Sequence, residues 1–327
     1  MPKPRVFVTR IIPDKGLEMI HEVADAEIWP GELPPPYSVL LEKVRGLDGL
    51  VCLLTDQIDG NLMDAAGDNL KVISQMAVGF DNVDIQAATA RNIPVGNTPG
   101  VLTDTTADFA FTLLMAAARR VVEGERFVKE GKWKTWGPTL LMGHEIHGAT
   151  LGLIGFGRIG KAMARRAAGF NMRILCYDPQ IDGAAAKTLG VENCSFEEVL
   201  VKADFLSLHV PLNEDTYHLM GEEEFKMMKP SSVLINSARG PVVDPKSLYT
   251  ALNGGLISYA ALDVTEPEPI TMDDPLLTLE NCLIVPHIAS SSIATRTKMA
   301  TMAAANLAAG LKNERLPNCA NPGVYER

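Results

Sequence analysis

The chain is poor in the residues that would place it in several large classes. Aromatic residues make up only 6% of its 327 positions. Its five cysteines (Cys52, Cys176, Cys194, Cys282 and Cys319) form no CxxC or other metal-ligand spacing. Neither a disulfide scaffold nor a metal site is therefore expected, and the scattered, odd set suits free thiols in a reducing cytosol. Basic residues are outnumbered, 30 against 40 acidic, for a net charge of −10. A chain without a basic excess is a poor partner for nucleic acid, whose phosphates need a cationic face. Long apolar runs are missing as well. The best stretch, around Phe109 to Ala118, is interrupted by Thr112 and stopped by Arg119-Arg120, too short for a bilayer. The segment Met1 to Val8 has no apolar core, so no secretory leader is expected and the location expected is cytoplasmic. No repeat at solenoid spacing is visible.

What is present is ordinary globular material, 46% hydrophobic and 21% charged, in a length that suits two domains. The first hundred residues alternate between short apolar runs and helical patterns. Strands are expected at Arg5–Thr9, Leu50–Leu54, Val72–Ala77 and Ile93–Val95, with helices at Lys15–Val23 and Asn61–Ala66. Leu33-Pro34-Pro35-Pro36 reads as a loop and a helix stop. After Asn97-Thr98-Pro99-Gly100, one long helix is expected from Thr103 to Val122. An exposed loop follows at Lys132–Pro138. Later apolar runs at Phe205–Val210, Val233–Asn236, Ala260–Asp263 and Leu283–Pro286 each follow a helical segment. A buried helix is expected at Thr295–Leu311. Alternation of this kind means α/β architecture with parallel sheets. The expectation is two doubly wound, Rossmann-like domains with a cleft between them. The outer one, flavodoxin-like and substrate-binding, would be built from residues 1–98 plus 289–327, and the nucleotide-binding one from 99–288.

The second half opens on Leu151-Gly-Leu-Ile154 followed by Gly155-Phe156-Gly157-Arg158-Ile159-Gly160, a helical pattern, a second apolar run to Tyr177, and Asp178. Strand, glycine turn, helix, strand and acid at close to the ~20-residue spacing form the full context of a dinucleotide site. Gly155 allows the tight turn, Gly157 lets a pyrophosphate approach, and Gly160 lets helix pack on strand. The helix N-terminus then offers free N–H groups and partial positive charge. A carboxylate at Asp178 suits ribose hydroxyls and repels a 2′-phosphate, so NAD(H) is expected over NADP(H), with NADP(H) still possible.

Three ionisable residues stand after later strands: Arg239 in Asn236–Asp244, Glu268 in Asp263–Pro269, and His287 after Val285-Pro286. Each alone is compatible with a turn, a solvated loop or a strand end. Together they meet the needs of hydride transfer to a 2-keto acid. Arginine can hold a carboxylate with two parallel hydrogen bonds. Histidine can deliver and recover a proton near neutrality. A neighbouring carboxylate favours its charged form. By contrast, His144-Glu-Ile-His147 reads as a loop, His209 and His218 as structural, and Glu222-Glu-Glu224 as a helix start.

On four motifs the chain resembles the D-isomer-specific 2-hydroxyacid dehydrogenases over almost its whole length. They are Gly155–Gly160, Asn236–Asp244, Asp263–Pro269 and Pro286-His287-Ile288. The resemblance implies that Arg239 binds the substrate carboxylate and keto oxygen, that Glu268 pairs with His287, and that His287 is the acid/base. It implies cofactor contacts from Thr106, Val210, Pro211, Ser237, Ala238, Asp263 and Ala289, and a homodimer formed through the nucleotide-binding domains. Val78-Gly79, in a glycine-containing turn whose N–H groups suit an anion, looks like the family's substrate-carboxylate loop. The runs Asn97–Asp108 and Trp133–Pro138 are most similar to the glyoxylate/hydroxypyruvate reductase branch, where Trp136 would reach toward the partner's substrate site. Ala289 and Ser292 depart from the glycine and threonine usual there, and Asp178 departs from the arginine-containing loop of many NADPH-using members. Glu268 argues against formate dehydrogenase, which carries glutamine. The function expected is reduction of glyoxylate or hydroxypyruvate to the D-2-hydroxy acid. The alternatives are D-3-phosphoglycerate or 2-ketogluconate dehydrogenase, and an NAD-sensing corepressor-like binding protein.

Overall fold

The computed structural model describes residues 2–326. The chain divides into two compact units, Met1–Leu102 with Ser291–Arg327, and Thr103–Ser290.

The first unit runs β1 (Arg5–Val8), α1 (Asp14–Val23), β2 (Asp25–Ile28), α2 (Tyr37–Lys43), β3 (Gly49–Cys52), α3 (Gly60–Ala66), β4 (Val72–Gln75), α4 (Ile85–Ala90) and β5 (Val95–Gly96). The strands form one parallel sheet in the order β2-β1-β3-β4-β5, the flavodoxin-like order. β3 and β4 are buried along their whole length, as a sheet covered on both faces requires. The chain's last long helix (Ile293–Leu311) returns to this unit. It packs Met299, Ala300, Ala303, Ala304 and Leu307 into the core beside Val6, Val8 and Val72. Ser292, one of the unusual residues after His287, caps that helix by accepting from Thr295 N–H at 3.1 Å.

The second unit begins with α5 (Thr103–Ala118) and α6 (Val121–Lys129), then β6 (Thr150–Ile154), α7 (Arg158–Ala168), β7 (Arg173–Tyr177), α8 (Gly183–Thr188), β8 (Val191–Asn193), α9 (Phe196–Lys202), β9 (Phe205–Leu208), α10 (Glu222–Met227), β10 (Val233–Asn236), α11 (Pro245–Asn253), β11 (Tyr259–Leu262) and β12 (Cys282–Ile284). The final helix, Ile293–Leu311, is α12. The seven strands are all parallel, in the order β12-β11-β10-β9-β6-β7-β8. The order reverses direction at β6, which creates the crevice where such sheets bind ligands.

Several elements differ from the sequence reading. The single helix expected from Thr103 to Val122 is two. Arg120 adopts a left-handed conformation (φ 52) between α5 and α6 and pairs with Glu123. β2 was not expected: it is a short edge strand of alternating exposure (Asp-Ala-Glu-Ile), too polar to stand out. The proline stretch does not only stop a helix, because Pro36 stands at the N-cap position of α2, where its carbonyl accepts from Leu40 N–H at 2.9 Å. β12 is preceded by a 3₁₀ turn, Pro275–Thr278, rather than an α-helix. Glu222–Glu224 do open α10, where carboxylates face the positive end of the helix dipole.

Candidate active site

In the second unit the strand pairings Ile154↔Tyr177, Ile154↔Leu208, Leu208↔Asn236 and Asn236↔Leu262↔Ile284 bring the carboxyl ends of six strands level. The loops leaving those ends carry the glycine turn, Asp178, Val210-Pro211, Ser237-Ala238-Arg239, Asp263 and His287. The sheet therefore gathers nearly all residues singled out in this half along one edge.

The glycine turn has the geometry its chemistry needs. Gly155 has φ 98, and a Cβ there would lie 2.6 Å from the His209 carbonyl oxygen. A Cβ on Gly160 would lie 2.3 Å from the Gly155 carbonyl oxygen, so helix and strand meet only over glycine. Gly157, exposed, has open space where a Cβ would stand. It opens α7 without a side-chain cap, leaving the first helical N–H groups for an anion. Phe156 contributes differently: its ring is buried in the core, and its N–H donates to Asp178 Oδ2 at 2.6 Å. Asp178 Oδ1 accepts from Gln180 N–H at 2.8 Å. The acid thus closes the turn as well as facing the crevice. Arg158 is exposed and Ile159 half-buried.

The three ionisable residues occupy the next loops. His287 Nδ1 donates to Glu268 Oε1 at 2.6 Å, which leaves Nε2 as the nitrogen available to a substrate. His287 is a non-glycine residue in the left-handed region (φ 53), a conformation that persists only when its surroundings impose it. Asp263 imposes it. This carboxylate, 1% exposed, accepts from Ile288 N–H at 2.7 Å and Ala289 N–H at 2.9 Å, while His287 N–H donates to the Asp263 carbonyl at 2.9 Å. Burial pushes the Asp263 carboxyl above the usual carboxylate range, and the two amide donors oppose that. Asp263 was expected only beside a cofactor, but its oxygens hold the histidine loop.

Arg239 follows β10 and donates from Nη1 to the Ala238 carbonyl at 2.8 Å. Its turn is fixed by Asn236, which donates from Nδ2 to the Arg239 carbonyl at 2.9 Å and accepts from Ala238 N–H at 3.0 Å. Gly240 lets this turn sit against the next loop, since a Cβ there would lie 1.9 Å from the Thr265 carbonyl oxygen. The sequence motif contains Gly240, but the reason for it appears only with the Thr265 backbone in place. Ser237 is 8% exposed and its Oγ has no hydrogen-bond partner among the described residues. Such an orphan inside a loop cluster fits a missing polar partner. With the open cradle at Gly157, the residues present suit a dinucleotide. Val210 and Pro211 are half-buried and exposed respectively, and Ala289 is buried. Thr106 lies in the first turns of α5 and is buried. Burial pushes the imidazole of His209, next to Val210 in the chain, down to about 4, and its Nε2 is 2.9 Å from Ser207 Oγ.

In the first unit Val78 and Gly79 stand in the loop after β4. Asn97 Nδ2 donates to the Val78 carbonyl at 2.9 Å and Gln75 Nε2 to the Gly79 carbonyl at 3.2 Å. Gln75 also donates to Asn82 Oδ1 (2.5 Å), and Asn82 Nδ2 donates to the carbonyls of Leu53 and Asp56 at 3.0 and 2.7 Å. With its carbonyls tied back, the turn uses neither the Val78 nor the Gly79 N–H in any hydrogen bond among the described residues. Trp136 lies in the expected exposed loop and is 77% exposed. His144 and His147 sit in a loop, and no group of three or more His, Cys, Asp or Glu is placed to hold a metal among the described residues.

Comparison with known proteins supplies the context for this geometry. A family model described as D-isomer specific 2-hydroxyacid dehydrogenase, NAD binding domain, matches residues 111–289. The chain is 54% identical over 325 residues to a glyoxylate reductase of Korarchaeum cryptofilum, covering 99% of this chain and 98% of that one. Among solved structures it is similar to the TT0316 protein of Thermus thermophilus, at TM-score 0.92 and 44% identity over 97% of this chain and 99% of that one. It is also similar to an NADPH-dependent glyoxylate/hydroxypyruvate reductase of Sinorhizobium meliloti, solved with NADP and malonate. That match has TM-score 0.87 and 31% identity over 98% of each chain.

Proposed function

This chain belongs to the D-isomer specific 2-hydroxyacid dehydrogenase family of oxidoreductases, and on that premise we propose that it reduces glyoxylate or hydroxypyruvate to the D-2-hydroxy acid. The observation that carries the reading is the 2.6 Å contact between His287 Nδ1 and Glu268, on a histidine held in a left-handed backbone conformation. A reduced nicotinamide, when bound, supplies the hydride to the keto carbon. His287 Nε2–H gives its proton to the keto oxygen, while Glu268 holds the ring in orientation through Nδ1. Arg239 pairs with the carboxylate and lowers the energy of the developing alkoxide. In the first unit, the Val78 and Gly79 N–H groups suit carboxylate oxygens. The pyrophosphate rests on Gly157, Arg158 and Ile159 at the start of α7. Ser237 and Ala238 meet the nicotinamide side, Val210 and Pro211 the ribose, and Thr106, Asp263 and Ala289 complete the cofactor contacts.

The cofactor proposed is NADH in preference to NADPH. Asp178, with both oxygens bonded to backbone N–H groups, presents negative charge where a 2′-phosphate would stand. A homodimer through the second unit is proposed too. α6 buries none of its residues, and Met115, Val121, Val128, Trp133, Trp136 and Met142 leave an apolar surface over this segment. Trp136 would then reach the partner's substrate. No described helix is long and apolar enough to cross a membrane, and a cytoplasmic location is proposed.

The test is steady-state oxidation of NADH and of NADPH with glyoxylate and hydroxypyruvate, by the wild type and Asp178→Ala. Fast NADH turnover that weakens or shifts toward NADPH in the variant supports both parts. A wild type that prefers NADPH removes the role given to Asp178 and leaves the reductase. Measurable NADH binding without turnover of either keto acid would overturn the reaction.

A further inference from the structure

A second cluster of titratable groups lies outside the residues assigned above. His218, in the loop after β9, has its backbone in the left-handed region (φ 49). Its N–H donates to the Pro241 carbonyl at 2.8 Å, and Nε2 donates to Glu266 Oε2 at 2.7 Å. Nδ1 lies 3.9 Å from Asp244 Oδ1. The ring stacks on Tyr217, with centroids 4.0 Å apart and planes at 17°, and the Tyr217 hydroxyl donates to Glu266 Oε1 at 3.4 Å.

These contacts tie three loops. Met220 N–H donates to the Val242 carbonyl and Asp244 N–H to the Met220 carbonyl, both at 3.0 Å, so the His218 loop runs along the segment just after Arg239-Gly240. Gly240 in turn sits on Thr265 and Glu266, at a distance that only a missing Cβ permits. Glu266 is two residues before Glu268, and Thr265 N–H points to Glu268 Oε2 at 3.4 Å. The Arg239 turn and the Glu268 loop therefore lean on each other on one side, and His218 grips both from the other.

We infer that His218 is a positioning residue, clamping Glu266 and the Pro241–Asp244 segment so that Glu268 and Arg239 keep their alignment. This rests on the reading of Glu268, His287 and Arg239 given above. His218 bonds to Pro241 and Glu266 and not to Arg239, Glu268 or His287, so its effect passes through the other two loops. Small displacements of catalytic groups cost large factors in rate, and truncating the imidazole leaves the half-buried Glu266 carboxylate with only the longer Tyr217 contact.

The experiment compares wild type, His218→Ala, His218→Gln, Glu266→Ala and the double variant His218→Ala/Glu266→Ala. It measures kcat and KM with glyoxylate, NADH Kd and Tm, with His287→Gln alongside. The expected result is a loss of about tenfold in kcat for His218→Ala, with NADH Kd within about twofold. His218→Gln, whose amide can still donate to Glu266, should recover most of the loss. The double variant should be no slower than the slower single, because both remove one contact. Full kcat with a lower Tm would make His218 a purely structural brace and overturn the inference, as would losses that multiply in the double variant. If His218→Ala does not fold, Glu266→Ala must show the kcat loss by itself, and full activity there overturns the clamp. A His287→Gln enzyme that keeps turnover overturns the underlying reading instead. A dead His287→Gln enzyme with an unaffected His218→Ala overturns the clamp alone.

Discussion

At the carboxyl edge of the seven-stranded sheet the exposed functional groups are side chains, with Arg239, Glu268 and His287 on loops braced by Asn236, Asp263 and Gly240. At the carboxyl edge of the five-stranded sheet the polar side chains are spent on the backbone. Gln75, Asn82, Asn97 and Asp56 tie loops together, and among the described residues the Val78 and Gly79 amides make no hydrogen bond, nor do the buried Asp56 Oδ1 and Thr98 Oγ1. Two sheets of similar winding thus present different chemistry at equivalent edges. One offers titratable side chains in its loops, and the other backbone dipoles that can hold an anion without changing charge, with Asp56 as a buried titratable group behind them. Loss of a group at the first edge should appear in the rate of the chemical step. Loss of a brace at the second should appear in substrate binding.

Apart from His287 itself, the largest effect expected from this contrast is at Arg239. Replacing it with glutamine should lower kcat/KM for glyoxylate by about 10²–10³, the cost of losing a positioned charge at a developing oxyanion. Steady-state kinetics would check it, and a loss confined to KM would blur the contrast.

Acid should act on His209 and on the buried carboxylates Asp263 and Asp56 in opposite senses. His209 has a folded pKa of about 4, below its ordinary 6.5, so the unfolded state takes up the proton first. Stability from the second unit is lost as pH falls from 6.5 to about 4, by at most about 3 kcal/mol. Asp56 in the first unit is shifted the other way, its carboxyl raised by burial. Its contribution is fully present below the unfolded value of 3.8 and is lost as pH rises through the folded one. Hydrogen exchange followed by region should show the β9 loop around His209 loosening as pH falls below 6.5, and His209→Gln should flatten that response.

Asp263→Asn is a narrower perturbation. An amide presents an NH₂ to one of the two N–H donors that the carboxylate now satisfies. A loss of about 2 kcal/mol is expected in chemical denaturation, with a fall in kcat because the loop that holds His287 loosens. The smallest effect is expected at Gln75→Leu, which frees the Gly79 carbonyl. KM for glyoxylate should rise by about tenfold, or about 1.4 kcal/mol, with kcat little changed. A change in kcat alone would contradict the assignment of binding to this edge.

Much of this site was legible in the sequence because it is carried by local motifs. Gly155, Gly157 and Gly160 stand between a strand and a helix as their order requires, and Arg239, Glu268 and His287 each follow a strand of one parallel sheet. What was not legible depends on partners distant in sequence. Asp263 as an anchor needs Ile288 and Ala289, Gly240 needs the Thr265 carbonyl, and the exposed amides at Val78 and Gly79 need Asn97 and Gln75 to hold their carbonyls. The break at Arg120 was missed for a related reason. Its left-handed backbone has no residue-type signal of the kind glycine gives. β2 was missed because an exposed edge strand lacks the apolar run that marks the buried ones.

The most direct test is the turnover of glyoxylate with NADH by wild type and His287→Gln, with NADH affinity measured separately. The account expects rapid wild-type reduction, a loss of about 10²–10⁴ in kcat for the variant, and NADH affinity little changed. A variant that reduces glyoxylate at the wild-type rate would contradict the assignment of proton transfer to the His287–Glu268 pair.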